Sequence, residues 1–297
     1  MDATRTPGGP SATYAAAVTD LRTGVSVPTF GDFDARTLGE LAAAAEQAGW
    51  DGFFCWDHVL WDPLGRGVAD TTVALAAIAL ATSRLRFGPL VTPLARRRPW
   101  KVARELASLD RLSGGRLTLG VGNGDDIDFA PVGDPAPARP RAAVLDESLV
   151  LLRRLLEEPG PVSHEGPAYR VSGVELRAGT VQPRIPIWVA GWWPHRRPLR
   201  RAARYEGVVP LWPEFALPTP AEYGACLDVI REARHGTGRE DEPFDALVWA
   251  RTDGPDDDRA LAYPEVGATW WVEAFDPRRD SLDDVRRRID AGPPRTG

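Results

Sequence analysis

The chain has 297 residues, of which 43% are hydrophobic and 26% charged, enough apolar material for one large domain or two ordinary ones. Its net charge of −6 gives no electrostatic case for nucleic acid or an anionic membrane surface as a partner. Cys55 and Cys226 lie too far apart for a zinc motif, and no run of about 18 apolar residues or secretory-type start occurs, so a cytoplasmic protein is expected.

In chain order, residues 1–20 are rich in Pro, Gly, Ala and Thr and read as a loose extension, with one domain expected over 21–297. Gly24 to Phe30 alternates like a strand. Asp34 or Thr37 can cap the next helix, Thr37 and Glu40 having capping-box spacing, and Leu38, Leu41, Ala45 and Ala48 recur on one face. Phe53 to Trp56 reads as a buried strand ending at Asp57-His58. A loop from Trp61 to Asp70 and an alanine-rich helix to about Ala81 follow. Leu85 to Thr92 is the third strand, and Pro99 opens a helix stopped by Gly114-Gly115. Leu117 to Val121 is the fourth, running into Gly122-Asn123-Gly124-Asp125. After a proline-rich loop, Arg141 begins a helix with Leu145, Leu149, Leu152 and Leu156 in line.

Residues 159–185 hold short β-like pieces and many turn residues, and read as an excursion. Alternation then resumes with strands Ile187–Ala190, Gly207–Leu211, Ala246–Ala250 and Ala268–Ala274. Their helices are Arg196–Arg204, Pro220–Ala233, a short piece at Asp257–Tyr263, and Leu282–Ile289. Regular strand-helix alternation implies parallel strands with helical crossovers. Eight repeats favour closure, so the expected fold is α/β, a (β/α)8 TIM-type barrel with insertions after strand 4 and before strand 5. Chemistry then belongs at the strand carboxyl ends: Asp57-His58, Thr92, Gly122 to Asp125 and Gly191 to His195 should converge.

Several barrel chemistries lack their residues. A Schiff-base aldolase needs an inward lysine, and the only lysine, Lys101, falls inside a helix. The four histidines, His58, His164, His195 and His235, show no metal-ligand spacing, so no metal site is expected. No GxSxG elbow occurs. A borrowed cofactor is the economical source of reactivity. Gly122-Asn123-Gly124 lets a flat ring or phosphate approach backbone, although a tight turn explains it as well. Ala190-Gly191-Trp192 with His195, Arg196 and Arg197 joins a strand-end glycine to free amides and positive charge, or is a solvated basic helix start. Arg96-Arg97-Arg98, Asp256 to Asp258 and Arg286 to Arg288 read as solvated runs.

Three stretches, AGWDGFFCWDHVLW (Ala48 to Trp61), TPLARRRPWKVARELASLDRLSGGRLTLGVGNGDD (Thr92 to Asp126) and PIWVAGWWPHRRPLRRAARYEGVVP (Pro186 to Pro210), resemble the luciferase-like flavin-dependent oxidoreductases, the superfamily of bacterial luciferase and the F420-dependent enzymes. The resemblance implies a homodimer of barrels with F420, or alternatively FMN, across the strand carboxyl ends. It also implies a non-proline cis peptide near Leu90 to Thr92.

In this reading His58, Asp57 and Asp125 are catalytic, with Asp57 or a backbone carbonyl orienting His58. Val91, Thr92, Gly122, Asn123, Gly124, Ala190, Gly191, Trp192 and His195 join His58 in holding the cofactor. Trp56 and Trp61 line the substrate pocket, and Trp192 and Trp193 share the apolar mouth. The expected activity is F420-dependent hydride transfer to or from a small organic substrate. The alternatives are an FMN-dependent two-component monooxygenase using oxygen with a reductase partner, and a flavin-binding barrel without catalysis.

Overall fold

The computed structural model describes residues 21–295 apart from 64, 135, 136, 178 and 277; the extension expected over 1–20 lies outside the described residues. The strands are β1 (Arg22–Val27), β2 (Gly52–Cys55), β3 (Arg86–Pro89), β4 (Thr92–Pro93), β5 (Leu119–Gly122), β6 (Val162–Glu165), β7 (Arg170–Val174), β8 (Ile187–Trp192), β9 (Gly207–Leu211), β10 (Asp245–Ala250) and β11 (Trp270–Ala274). The helices are α1 (Ala35–Gln47), α2 (Thr71–Ala81), α3 (Pro99–Ser113), α4 (Ala138–Glu157), α5 (Arg196–Ala202), α6 (Pro220–Arg234) and α7 (Leu282–Asp290).

Nine strands form one sheet in the order β3-β2-β1-β11-β10-β9-β8-β5-β4, and all its pairings are parallel. Its two ends, β3 and β4, are successive pieces of one chain segment, separated at the cis Leu90–Val91 peptide. The sheet therefore comes round on itself as an eight-fold barrel, the expected architecture. At the join a single bridge pairs Phe87 with Leu117. Gly88 permits it: a Cβ there would lie 1.8 Å from the Thr118 carbonyl oxygen.

Side-chain alternation divides the core in two. Phe54, Leu90, Trp188, Val209, Leu247, Trp270 and Val272 fill the barrel, with Val91, Ala190, Leu211 and Trp249 above them. The opposite faces of the strands, such as Phe53, Cys55, Val189 and Val248, pack against the helices. Strands such as β2, β8 and β10 are thus apolar on both sides, as a parallel sheet covered by helices requires, whereas β1 turns Gly24 and Ser26 inward. Burying a phenylalanine-sized side chain contributes about 1.5–3 kcal/mol.

Local details differ from expectation where capping competes. Asp34, not Thr37, caps α1, accepting from the Thr37 amide at 2.8 Å. α4 begins at Ala138, three residues before Arg141. The excursion contains the antiparallel hairpin β6-β7. The short seventh helical piece is two 3-10 turns, Arg259–Ala262 and Pro264–Val266. Arg288 is not solvated: its guanidinium reaches the fully buried Glu273 at 3.0 Å, tying α7 to β11.

Candidate active site

At the strand carboxyl ends Asp57, His58 and Thr92 come together with Asp128, a residue outside the expected set, while Gly191 and His195 do not join them. β2 ends at Cys55, and the chain turns through Trp56, Asp57 and His58. The His58 ring nitrogen Nδ1 lies 2.7 Å from Oδ2 of Asp128, in the 3-10 turn Asp126–Asp128 that follows β5. The other Asp128 oxygen accepts from the amides of Val59, Leu60 and Trp61 at 3.1, 2.8 and 3.2 Å. Burial works against ionisation of Asp128, but the hydrogen bonds from His58 and from the Leu60 and Val59 amides outweigh it and hold the carboxyl well below its usual range. An ionised Asp128 accepts only, so His58 carries a proton on Nδ1, and in its neutral form the acceptor lone pair is on Nε2.

Asp57 does not orient His58. Its carboxylate accepts from Thr92 Oγ1 at 2.7 Å, from Arg96 Nη2 at 2.5 Å and from Arg97 Nη1 at 3.4 Å. Arg96 also reaches Asp128 Oδ2 at 3.3 Å, linking the two aspartates. Arg96 and Arg97 are therefore half-buried ion-pair partners, and only Arg98 of the run is exposed. Asp125 is exposed and caps the 3-10 turn, accepting from the Ile127 amide at 3.1 Å. The sequence presents Asp125, Asp126 and Asp128 together, and only the turn decides that Asp128 faces His58. A cavity of about 270 Å³ opens beside this cluster, lined by Asp57, Asp70, Thr72, Arg96, Arg97 and Asp128 among others.

A shelf of small side chains forms where β5 and β8 end. A Cβ added at Gly122 would come 2.6 Å from Val91 Cγ2 and 3.7 Å from Ala190 Cβ, so these three residues sit side by side. Asn123 donates from Nδ2 to the Ala138 carbonyl at 2.8 Å, while its Oδ1 is buried without a partner. Gly124 has φ 74° and turns the chain toward Phe129. Thr92 directs its hydroxyl to Asp57 instead of the shelf. Gly191 faces α5, where a Cβ would meet Pro198 at 2.6 Å. His195 is exposed, and its amide is already bonded to the Trp192 carbonyl at 2.9 Å, so it is not free for a phosphate.

Aromatic rings pack around His58 and continue across the strand ends. Trp56 and Trp61 stack with centroids 5.9 Å apart and planes 8° from parallel. Phe30 abuts both, and the His58 ring is 4.9 Å from Trp61. Trp249 meets Trp56 edge-on at 5.9 Å, Phe215 meets Trp249 at 5.2 Å, and Trp192 meets Phe215 at 5.2 Å. Trp193, expected at the mouth, packs on the helix side of the sheet. Trp249, Phe30 and Phe215 join the site although no local motif marks them; inward alternation along β10 is the signal that locates Trp249.

Both cysteines are buried, and burial pushes the Cys55 thiol well up and that of Cys226 to about 12, so neither supplies a thiolate. Among the described residues no group of three His, Cys, Asp or Glu side chains is placed to hold a metal ion, and no helix is long and apolar enough to cross a membrane.

The family model described as luciferase-like monooxygenase matches residues 10–293. An F420-dependent glucose-6-phosphate dehydrogenase of Beutenbergia cavernae is 38% identical over 126 residues, 41% of this chain and 38% of that protein. A second of that name, from Intrasporangium calvum, is 33% identical over 183 residues, 59% of this chain and 52% of the relative. The chain thus spans about half or less of the length of these curated relatives. In structure, an F420-dependent secondary alcohol dehydrogenase bound to an F420-acetone adduct superposes with TM-score 0.74 at 18% identity, covering 92% of this chain and 97% of the other.

Proposed function

Since the chain belongs to the luciferase-like monooxygenase family, we propose that it is an F420-dependent oxidoreductase moving a hydride to or from a small organic substrate, with His58 exchanging the accompanying proton. The observation that carries this reading is the His58–Asp128 pair at the strand carboxyl ends, with the imidazole packed against Trp61. Relatives named as F420-dependent dehydrogenases support the choice of cofactor.

The strand ends fit a flat deazaflavin. The missing Cβ at Gly122 keeps the shelf low, and the partnerless Asn123 Oδ1 offers an acceptor beside it. Val91, Gly122, Asn123 and Ala190 would hold the ring. When bound, F420 supplies a two-electron hydride acceptor or donor. The chain's own residues do the rest. Asp128 fixes the His58 tautomer, so Nε2 can take a proton from a substrate hydroxyl and return it in the reverse direction. The aromatic wall excludes water from that exchange. A homodimer belongs to the same reading.

The test is anaerobic mixing of protein, F420 and an alcohol panel. Loss of the oxidised F420 absorbance, and its suppression by roughly 10²-fold or more in His58→Ala, are expected. No spectral change with any alcohol or carbonyl, with oxygen consumed instead when reduced FMN is supplied, would favour the FMN-dependent two-component monooxygenase.

A further inference from the structure

One side chain holds His58 from two directions. Arg96 Nη2 donates to the carbonyl oxygen of Asp57 at 2.7 Å, the peptide oxygen immediately before His58, and to the Asp57 carboxylate at 2.5 Å. Arg96 Nη1 donates at 3.3 Å to Asp128 Oδ2, the same oxygen that lies 2.7 Å from His58 Nδ1. A planar guanidinium reaches both places with separate N–H groups, which the single ammonium of a lysine does not. The Arg96 side chain is 7% exposed and that of Asp128 fully buried, so water screens these contacts little.

Arg96 is the inner cation of a longer alternation of charge. From the surface inward, Lys101 meets Glu105 at 2.6 Å, Glu105 meets Arg97 at 2.6 Å, and Arg97 meets Asp57 at 3.4 Å; Asp57 and Asp128 then share Arg96. The carboxylates Asp57, Asp128 and Glu105 thus alternate with the cations Arg96, Arg97 and Lys101, and the run is balanced before His58 adds any charge. The exposed Lys101 end contributes little, whereas Arg96 sits against His58's own partner. Without Arg96, two neighbouring carboxylates would lose their shared cation. The imidazole is then the adjacent group that can offset them, by binding a second proton on Nε2, its one acceptor. Asp70 and Asp134, which line the cavity beside Asp57, Arg96 and Asp128, are exposed and add no positive charge. The rings around His58 are those of Phe30, Trp56 and Trp61, all uncharged.

We propose that Arg96 is a positioning residue for His58: it fixes the peptide that carries the imidazole and, through Asp128, keeps the ring in the neutral form whose Nε2 accepts a proton. This rests on the reading of His58 as the proton acceptor of the reaction.

Histidine-ring nitrogen NMR on the protein without F420 tests it apart from turnover. Wild type, Arg96→Gln, Arg96→Lys and Asp57→Asn are titrated with pH, and the signals absent from His58→Ala identify His58. Arg96→Gln, which deletes a positive charge, should move the His58 titration to higher pH. Asp57→Asn, which deletes a negative one, should move it to lower pH, and Arg96→Lys should return it toward wild type. An unchanged titration in Arg96→Gln or Asp57→Asn, or shifts of the same sign in both, overturns the proposal; if Arg96→Gln does not fold, Asp57→Asn decides alone. With F420 and an alcohol, kcat of Arg96→Gln should fall roughly tenfold or more at neutral pH, KM little changed, and recover as pH rises. A fall that no pH restores leaves Arg96 a purely structural role and also overturns the proposal. Absence of turnover in wild type overturns the hydride-transfer reading alone, because the titration without F420 still decides what Arg96 does.

Discussion

At the scale of single residues, Asp128 carries more than its place in the sequence suggests. One oxygen gathers three amides of the turn after His58, and the other holds the imidazole. Asp128→Asn keeps the size but places an amide donor against His58 Nδ1, or else against the turn amides. The imidazole is then driven toward the tautomer with its proton on Nε2, unable to accept from a substrate hydroxyl. Alcohol oxidation should fall by roughly 10²–10⁴-fold with F420 binding little changed, measured by steady-state kinetics beside F420 titration. A change confined to F420 affinity would assign Asp128 to the shelf instead. His58 itself is legible in the sequence, because Asp-His closes a short apolar strand. Its partner is not, because three aspartates compete within four residues and a single 3-10 turn selects among them.

At the scale of elements, the α1 end is bound to the start of β3 through one carboxylate. Burial raises the Glu46 carboxyl, but the amides of Leu85, Arg84 and Ser83 and the Ser83 hydroxyl together hold it down to about 2. A depressed folded value means the stabilisation is complete above the ordinary value of 4.5 and is lost as pH falls toward 2. Glu46→Gln should cost about 1–2 kcal/mol at neutral pH, solvent screening of this partly exposed site limiting the effect. The gap between the two melting curves should close progressively as pH falls through that window. A gap independent of pH would mean packing, not charge, is what Gln lacks. Element identity is readable here because Ala, Leu and Val recur at helical or strand period. The caps are not: Asp34 wins over Thr37 because its side chain meets an amide at the geometry the first turn presents.

At the scale of the molecule, closure of the barrel depends on β3 and β4 reaching opposite neighbours from one segment. Gly88 lies at that join, so Gly88→Ala should destabilise by about 3 kcal/mol or more, lowering Tm by roughly 5–10 °C in a calorimetric scan. An unchanged Tm would mean the join yields easily. Eight-fold alternation makes the barrel legible from sequence, and the strand-end motif marks Trp56 and Trp61, but Phe30, Phe215 and Trp249 come from three other loops or strands and only closure brings them to the same wall. The central claim is that this face holds a deazaflavin beside His58, and titration of the purified protein with F420 and, separately, FMN tests it most directly. Quenching by F420 in the micromolar range, about −8 kcal/mol, with FMN much weaker, is the predicted result. Tight FMN binding with no response to F420 would contradict it.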